Sequence, residues 1–548
     1  MLADDPVAIV RAQVGSGKTT VLVHKVMYLH LVGGVALDDV AVVTFTNRAA
    51  DQLIARLEAL AGRAITAAER ARMGTLHGVA HALLQRTLPV ARVGHQPGFA
   101  VLDDDARDAL YAELVKQHRL RLRGRARLHE RLRAHAGRAA GDDGGPSGAA
   151  LTRLAAAIHD AKRARNAMDF DDLIEHATAL LGEPDAPPPP RWLLVDELQD
   201  CEARELALLR RLRGADTRFF GVGDPLQSIY GWRGGCAAML GRLERELGAR
   251  RRDLPFSYRS TRTILDGARA ALGAQPDADG ALRPVRGAGA PIQVRRHHDP
   301  LTEAIYLADR VAQLRAGGVP AAAIAVLCRL RVQVEALTPR LIEHGVPCAT
   351  DGDDRADAVR VLTLHAAKGL EFGHVFISGA NLGVVPLVVR GEPADPAEER
   401  RLLYVGLTRA RDEVEVSYHA SPHTFGALGS PSPLLLQLPA ALVTWHDAAV
   451  PPAAATSSPP PPRLAPAPTA TAAPAPVATT VDAATAVATP ATSTAPAPWS
   501  IGQTVRHPRY GVGVVIDVAA ATVACDFGKL GPRSFPLRLC PLRAEPPP

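Results

Sequence analysis

Short aliphatic runs alternate along this chain with longer stretches whose apolar residues recur every three or four positions. Val7 to Val10 (VAIV) is one such run. It leads through a Gly-rich turn into TTVLVHKVMYLHLV, which predicts a buried helix. Val40 to Phe45 (VAVVTF) repeats the strand pattern, and NRAADQLIARLEAL repeats the helix. LLVDE (Leu193 to Glu197) and RFFGVGD (Arg218 to Asp224) return to the strand pattern. A second unit of the same kind begins near Leu254, with strands expected at Ala323 to Leu330, Val359 to His365 and His374 to Ala380. Strands apolar throughout, alternating with helices, predict an α/β fold with a parallel sheet.

Two stretches break the pattern. From about Ala100 to Ala167 the chain turns basic and helix-prone (RLRLRGRARLHERLRAHAGR), then breaks at GDDGGPSG, which predicts an inserted helical subdomain. Its basic face, Arg119 to Arg138, could track a polyanion or simply be solvated. Residues 448–498 are nearly all Pro, Ala, Thr, Ser and Val, a composition that buries too little apolar surface to fold and predicts a disordered linker. Beyond it, WSIGQTVRHPRYGVGVVIDV and TVACDF predict a small all-β module.

Composition narrows the function classes. The chain has 548 residues, enough for several domains, and a formal net charge of +6, compatible with a polyanionic partner. Its six cysteines have no CxxC spacing, so neither a zinc site nor a disulfide framework is implied. No apolar run is long enough to span a bilayer and the N-terminus has no basic leader, so a soluble cytoplasmic protein with no membrane partner is expected. Only six lysines occur among many arginines: Lys18, Lys25, Lys116, Lys162, Lys368 and Lys529. In such a background a retained lysine is informative, because a compact ammonium and a planar guanidinium are not equivalent.

Two segments carry the chemistry. GSGKTT (Gly15 to Thr20) lies between a predicted strand and helix, where Gly15, Ser16, Gly17, Lys18, Thr19 and Thr20 can turn backbone amides, an ammonium and a hydroxyl onto phosphates. Lys18 would reach the β- and γ-phosphates of a nucleoside triphosphate and Thr19 would hold Mg²⁺. Ala12 stands where the generic pattern has its first glycine. VDELQD (Val195 to Asp200) ends a strand; Asp196 could hold Mg²⁺ and Glu197 could polarise the attacking water. Alone, either segment could be a Gly-rich turn or a solvated strand end; together they predict hydrolysis of a nucleoside triphosphate.

Eight segments in order resemble the UvrD/Rep/PcrA group of superfamily 1 DNA helicases. Besides VDELQD they are TFTNRAADQLIARL (Thr44 to Leu57), GTLHGVAHALL (Gly74 to Leu84), MDFDDLI (Met168 to Ile174), VGDPLQSIYGWRGG (Val222 to Gly235), LPFSYRS (Leu254 to Ser260), VLTLHAAKGLEF (Val361 to Phe372) and EERRLLYVGLTRAR (Glu398 to Arg411). The resemblance implies two RecA-like P-loop NTPase domains: motor domain 1A at 1–99 and 168–250, a helical insertion 1B at 100–167, and motor domain 2A at 251–447. The linker at 448–498 and a Tudor-like module at 499–548 follow. It implies that Gln227 couples the γ-phosphate to DNA, that Arg259 and Arg409 approach that phosphate, that Tyr258 stacks on the base and that Glu371 bonds the ribose. It gives Phe45, His77, Trp232 and Arg233 to single-stranded DNA; Phe45 could equally be core and His77 a structural histidine.

Three departures stand out. Only eleven residues precede Ala12, too few for the family's adenine-reading glutamine segment, so either relaxed nucleotide specificity or a truncated start is expected. Ser257 and Leu198 replace the usual Asn and Phe. A short Gly/Asp-rich loop, about Asp351 to Asp357, stands where the family inserts its 2B subdomain, so translocation is expected to persist while duplex engagement weakens. The expected function is an ATP-dependent single-stranded DNA translocase or helicase, 3′→5′ by resemblance, in DNA repair or replication. The β module would bind a protein such as RNA polymerase. The rival is a degenerate helicase serving as a DNA- or polymerase-binding regulator; a helicase–nuclease of the RecB type lacks room in the tail for its nuclease.

Overall fold

The structure, a computed structural model, describes residues 5–120, 128–136, 146–231, 238–273, 282–353, 355–389, 392–424, 426–446, 503–507, 511–518, 522–526, 532–536 and 543–544. The expected linker at 448–498 and the expected DNA contacts Trp232 and Arg233 lie outside the described residues. The chain divides into two units, Met1–Thr456 and Ser457–Pro548.

In the first unit, β1 (Val7–Ala12) runs into α1 (Lys18–Leu31) and β2 (Val40–Thr44) into α2 (Asn47–Ala61); the short α3 (Ala67–Arg70) precedes β3 (Met73–Thr75) and α4 (Leu76–Arg86). The hydroxyls of Thr46 and Thr75 accept from the amides of Ala49 and Gly78, capping α2 and α4 just past the strands that feed them. Then β4 (Ala100–Leu102) leads to α5 (Asp104–Gln117), α6 (Leu128–Ala136) and α7 (Pro146–Ala164), and β5 (Ala167–Asp169) returns to pair with β4 in parallel. These helices enclose their own small core, which includes Leu110, Leu114, Leu154 and Ile158. Next come α8 (Phe170–Leu180), β6 (Trp192–Val195), α9 (Ala203–Leu212), β7 (Arg218–Gly223), α10 (Met239–Glu246) and β8 (Arg250–Leu254).

The first sheet has the order β3-β2-β6-β7-β1-β8, every pair parallel. β2 and β6 are buried along their whole length, as strands covered on both faces must be. β8 differs. Its sequence RRRDL is exposed up to Leu254, and a row of charges suits a sheet edge that must not pair further. The division expected at 250/251 falls inside this strand. Because β8 pairs with β1 from Arg250 to Leu254, the first sheet extends to Leu254. No strand was expected there, since an edge strand needs no apolar face to announce it.

The second half begins with β9 (Phe256–Ser257), α11 (Arg262–Leu272) and β10 (Arg283–Pro284), in which β9 and β10 pair. It continues through β11 (Ile292–His297), α12 (Pro300–Ala316), β12 (Ile324–Cys328), α13 (Arg331–Glu343), β13 (Cys348–Ala349), β14 (Val359–Thr363) and β15 (Phe372–Ser378). It ends with the hairpin of β16 (Val388–Val389) and β17 (Glu392–Pro393), then α14 (Pro396–Leu407), β18 (Ala410–His419) and β19 (Val443–His446). The second sheet is parallel throughout, in the order β13-β14-β12-β15-β18-β11-β19. Cys348 pairs with Val359, so residues 350–358 are the whole connection between β13 and β14. The core on this sheet also takes in Val14, Leu226 and Ile229 from the first half. At about 1.5–3 kcal/mol per buried side chain, that shared apolar surface helps to join the halves.

In the second unit, β20 (Thr504–His507), β21 (Gly511–Val518), β22 (Thr522–Asp526), β23 (Pro532–Pro536) and β24 (Arg543–Ala544) form an antiparallel sheet in the order β23-β22-β21-β20-β24. Val515 is buried between exposed Val514 and Ile516, the period of a half-buried strand. No helix among the described residues is long and apolar enough to cross a membrane.

Candidate nucleotide-binding site

Between the end of β1 and the start of α1 the chain makes a loop in which Gly15 and Gly17 take φ of +70° and +81°, the left-handed region that glycine enters without a Cβ clash. A Cβ on Gly15 would also lie 2.6 Å from Ser257 Oγ and 2.8 Å from Arg259 Cβ. The loop therefore touches the segment that opens the second half, and the Tyr258 amide donates to the Gly15 carbonyl at 2.9 Å. Ser16 Oγ donates to the Gln13 carbonyl at 2.7 Å and Lys18 Nζ to the Ala12 carbonyl at 3.4 Å. The N-terminus of α1, with Lys18, Thr19 and Thr20, lines the cleft, adding its partial positive charge to the ammonium.

The carboxylates follow β6. Thr19 Oγ1 donates to Asp196 Oδ2 at 3.0 Å. Glu197 sits at φ +50°, an uncommon conformation for a side chain of its size. Gln199 Nε2 donates to Glu197 Oε2 at 2.5 Å, while Gln199 Oε1 accepts from the Asp224 amide at 2.8 Å. Burial, reinforced by Glu197, pushes Asp196 up to about 6. Burial also acts to raise Glu197, but Lys18, Lys368 and the Gln199 amide outweigh it and hold that carboxyl at about 2. Glu197 is thus ionised at any physiological pH. A hydroxyl and a buried carboxylate 3.0 Å apart are the hard oxygen donors that Mg²⁺ takes. Among the described residues no group of three or more His, Cys, Asp or Glu could hold a metal, and an ion coordinated mainly by water and substrate phosphates needs none.

The second half supplies cations. Gln227 Nε2 donates to Asp224 Oδ2 at 2.6 Å, and Gln227 Oε1 accepts from Arg409 Nη2 at 3.3 Å. Arg409 is buried; its Nε donates to the Val405 carbonyl at 3.0 Å and its Nη1 to the Leu370 carbonyl at 3.1 Å. Burial, then Arg259, brings its guanidinium down to about 9, so it stays charged at neutral pH. Arg259 Nε donates to Glu371 Oε2 at 2.8 Å; the carboxylate expected at a ribose here holds an arginine. Lys368 Nζ donates to both oxygens of Asp200 at 2.5 Å and to the Gln227 carbonyl at 2.7 Å, across the two halves. Burial pushes Asp200 up to about 6 against the pull of Lys368.

Gly15, Ser16, Gly17, Lys18, Thr19, Thr20, Phe45, His77, Asp196, Glu197, Gln227, Tyr258, Arg259, Glu371 and Arg409 all line one cleft of about 710 Å³. Tyr258 is 62% exposed at its mouth. Phe45 is half-buried and packs against the first-half core, while His77 meets Phe170 edge-on at 5.6 Å. Sequence reasoning missed Lys368, Asp200, Gln199 and Asp224. The rarity of lysine was the available signal for Lys368, and Gln199 and Asp200 lie inside the segment already singled out.

Two family models match the chain: the UvrD/REP helicase N-terminal domain over residues 3–247 and the UvrD-like helicase C-terminal domain over residues 349–421. DNA helicase II of Escherichia coli (strain K12) is 30% identical over 356 residues, 62% of this chain and 48% of that protein. The ATP-dependent DNA helicase Rep of the same strain is 32% identical over 285 residues, 49% of this chain and 41% of that protein. The ATP-dependent DNA helicase UvrD2 of Mycobacterium tuberculosis (strain ATCC 25618 / H37Rv) is 26% identical over 545 residues, 75% of this chain and 76% of that protein. The chain thus spans about half the length of the DNA helicase II it matches.

Proposed function

This chain belongs to the UvrD/Rep helicase family, and from that premise we propose that it is a DNA-stimulated ATPase that moves along single-stranded DNA and unwinds it, with 3′→5′ polarity. The observation that carries the reading is the contact of Arg409 with Gln227 at 3.3 Å. It joins a guanidinium of the second half to the loop that follows β7 of the first, within the cleft that holds Lys18 and Glu197.

In this reading the amides of Gly15 to Thr20 and the Lys18 ammonium bind the phosphates of ATP. Thr19 and Asp196 hold Mg²⁺, which when bound neutralises phosphate charge. Glu197, kept ionised, orients and polarises the water that attacks the γ-phosphorus as the bond to the β–γ bridging oxygen breaks, and the water's proton leaves with the released phosphate. Arg259 and Arg409 stabilise the charge on the transferring group, and because both belong to the second half, turnover depends on closure. Tyr258 stacks on the base. Phe45, His77, Trp232 and Arg233 bind the single strand, stacking being tolerant of sequence. A protein partner such as RNA polymerase at the C-terminal strands follows from resemblance alone; co-sedimentation with purified polymerase, lost on deleting 499–548, tests it.

ATP hydrolysis measured with and without single-stranded DNA, then strand displacement on 3′- and 5′-tailed duplexes, tests the main reading. DNA-stimulated turnover abolished by Lys18→Ala and by Glu197→Gln is expected. Strand displacement should lag translocation, because only residues 350–358 stand between β13 and β14. DNA binding without hydrolysis would favour the regulatory reading instead.

A further inference from the structure

Arg286 lies outside every motif singled out in the sequence, yet its side chain ties together two arginine-bearing segments of the cleft. Its Nη1 donates to the carbonyl of Arg259 at 2.8 Å and to the carbonyl of Arg411 at 2.6 Å, and its Nη2 donates to Asp412 Oδ1 at 2.7 Å. One nitrogen thus serves two carbonyls that are far apart in sequence. Around it the segments are already laced: Ser260 Oγ donates to the Ala410 carbonyl at 2.5 Å, the Thr261 amide to the Arg411 carbonyl at 3.3 Å and the Val285 amide to the Ser257 carbonyl at 2.9 Å. Arg259 and Arg411 line the cleft, as does Arg409 two residues before Arg411.

Resting on the ATPase reading, we propose that Arg286 is a positioning residue of the nucleotide site, fixing the spacing of Arg259 and Arg409 by clamping the backbone beside each. The chemistry suits a guanidinium. Its planar fork satisfies several acceptors at once, and charge-assisted bonds to carbonyls and a carboxylate are about twice as strong as neutral ones. A lysine there could serve the two carbonyls from its single nitrogen, but it lacks the second nitrogen that holds Asp412. Arg286 is not among the residues that line the cleft. It acts by keeping two cations where charge develops, and a misplacement of about 1 Å in such groups can cost on the order of a hundredfold in rate.

The test uses the full chain: DNA-stimulated ATP hydrolysis by the wild type, Arg286→Ala and Arg286→Lys, with and without methylguanidinium, alongside binding of ADP and of ADP–aluminium fluoride. Arg286→Ala should lower kcat by about 10- to 100-fold with KM for ATP changed less than about twofold. It should weaken ADP–aluminium fluoride while sparing ADP, and millimolar methylguanidinium should restore part of the rate. Arg286→Lys should show a smaller loss in the same direction, and it carries the test should the alanine variant not fold. Wild-type kcat and wild-type ADP–aluminium fluoride affinity in Arg286→Ala would overturn the proposal. So would a loss that follows the unfolded fraction and ignores methylguanidinium. A wild-type chain without turnover rejects the ATPase reading, whereas the ratio of the two affinities still judges Arg286.

Discussion

Two lysines, Lys162 buried and Lys368 half-buried, do the same elementary thing in two places, and their surroundings differ. At the root of the helical insertion, Lys162 Nζ lies 2.5 Å from Asp169 and 2.7 Å from Asp172. Asp169 also accepts from Tyr111 at 3.4 Å and forms a reciprocal capping box with Asp172 at the start of α8. In the cleft, Lys368 grips Asp200 and the Gln227 carbonyl, while Lys18, Glu197 and Arg409 beside them line open space. Buried polar groups are normally satisfied, and a closed network such as that of Lys162 specifies a fold. Charged groups that line a cleft are instead open to whatever binds there. The difference separates ion pairs that hold structure from ion pairs that frame chemistry.

The sharpest way to break that distinction is to remove a cation from each cluster. Arg409→Ala should leave the chain folded and lower DNA-stimulated kcat by about 10³- to 10⁵-fold, the range expected for a guanidinium acting on a transferring phosphoryl group. A fall of tenfold or less would reduce Arg409 to a structural strut. Lys162→Met should do the opposite. It strands two adjacent carboxylates in a buried site, a change that costs about 3–5 kcal/mol when one partner of a buried pair is lost. Hydrogen exchange along α7 and α8 should report that loss, with ADP affinity of the folded protein unchanged within about twofold. Lost turnover without lost protection would show that the two clusters are not distinct in kind.

This contrast was only half legible in the sequence. β1, β2, β6, β7, β12, β14 and β15 announced themselves as apolar runs because parallel strands are buried on both faces. β8 did not, since its arginines sit on an edge, and β18, buried without a break from Val414 to His419, was hidden by the charges of ARDEVEVSYH. Within the cleft, GSGKTT and VDELQD were readable because phosphate and metal chemistry dictate residue types at fixed spacing. Arg286 was not, because a side chain that works by holding carbonyls needs a place in space rather than a motif. Lys162 carried the same signal as Lys368, its rarity, but nothing in AKRARN tells that it is buried.

Acidification offers the smallest and most selective test of the comparison. Burial, followed by repulsion from His95, His159 and Lys162, holds the His176 imidazole on α8 down to about 4 from its ordinary value of 6.5. The folded state therefore refuses a proton that the unfolded chain accepts. The stability this confers is fully present above pH 6.5 and is lost as pH falls toward 4. Asp172 works the other way. Pushed up to about 6 by burial and by Asp169, it contributes stability that is present below its ordinary value of 3.8 and lost as pH rises through 6. Asp200 in the cleft, also near 6, has the same sign as Asp172. The opposing terms make a bare pH curve ambiguous, so the informative quantity is the difference between the wild type and His176→Gln. In hydrogen exchange of the α8 amides that difference should steepen below pH 6.5 by at most about 1.4 kcal/mol per pH unit, the slope of one proton. Amides at the start of α1, beside the cleft, should show no such difference; an equal slope there would mean that the root of the insertion and the nucleotide cleft unfold as one unit.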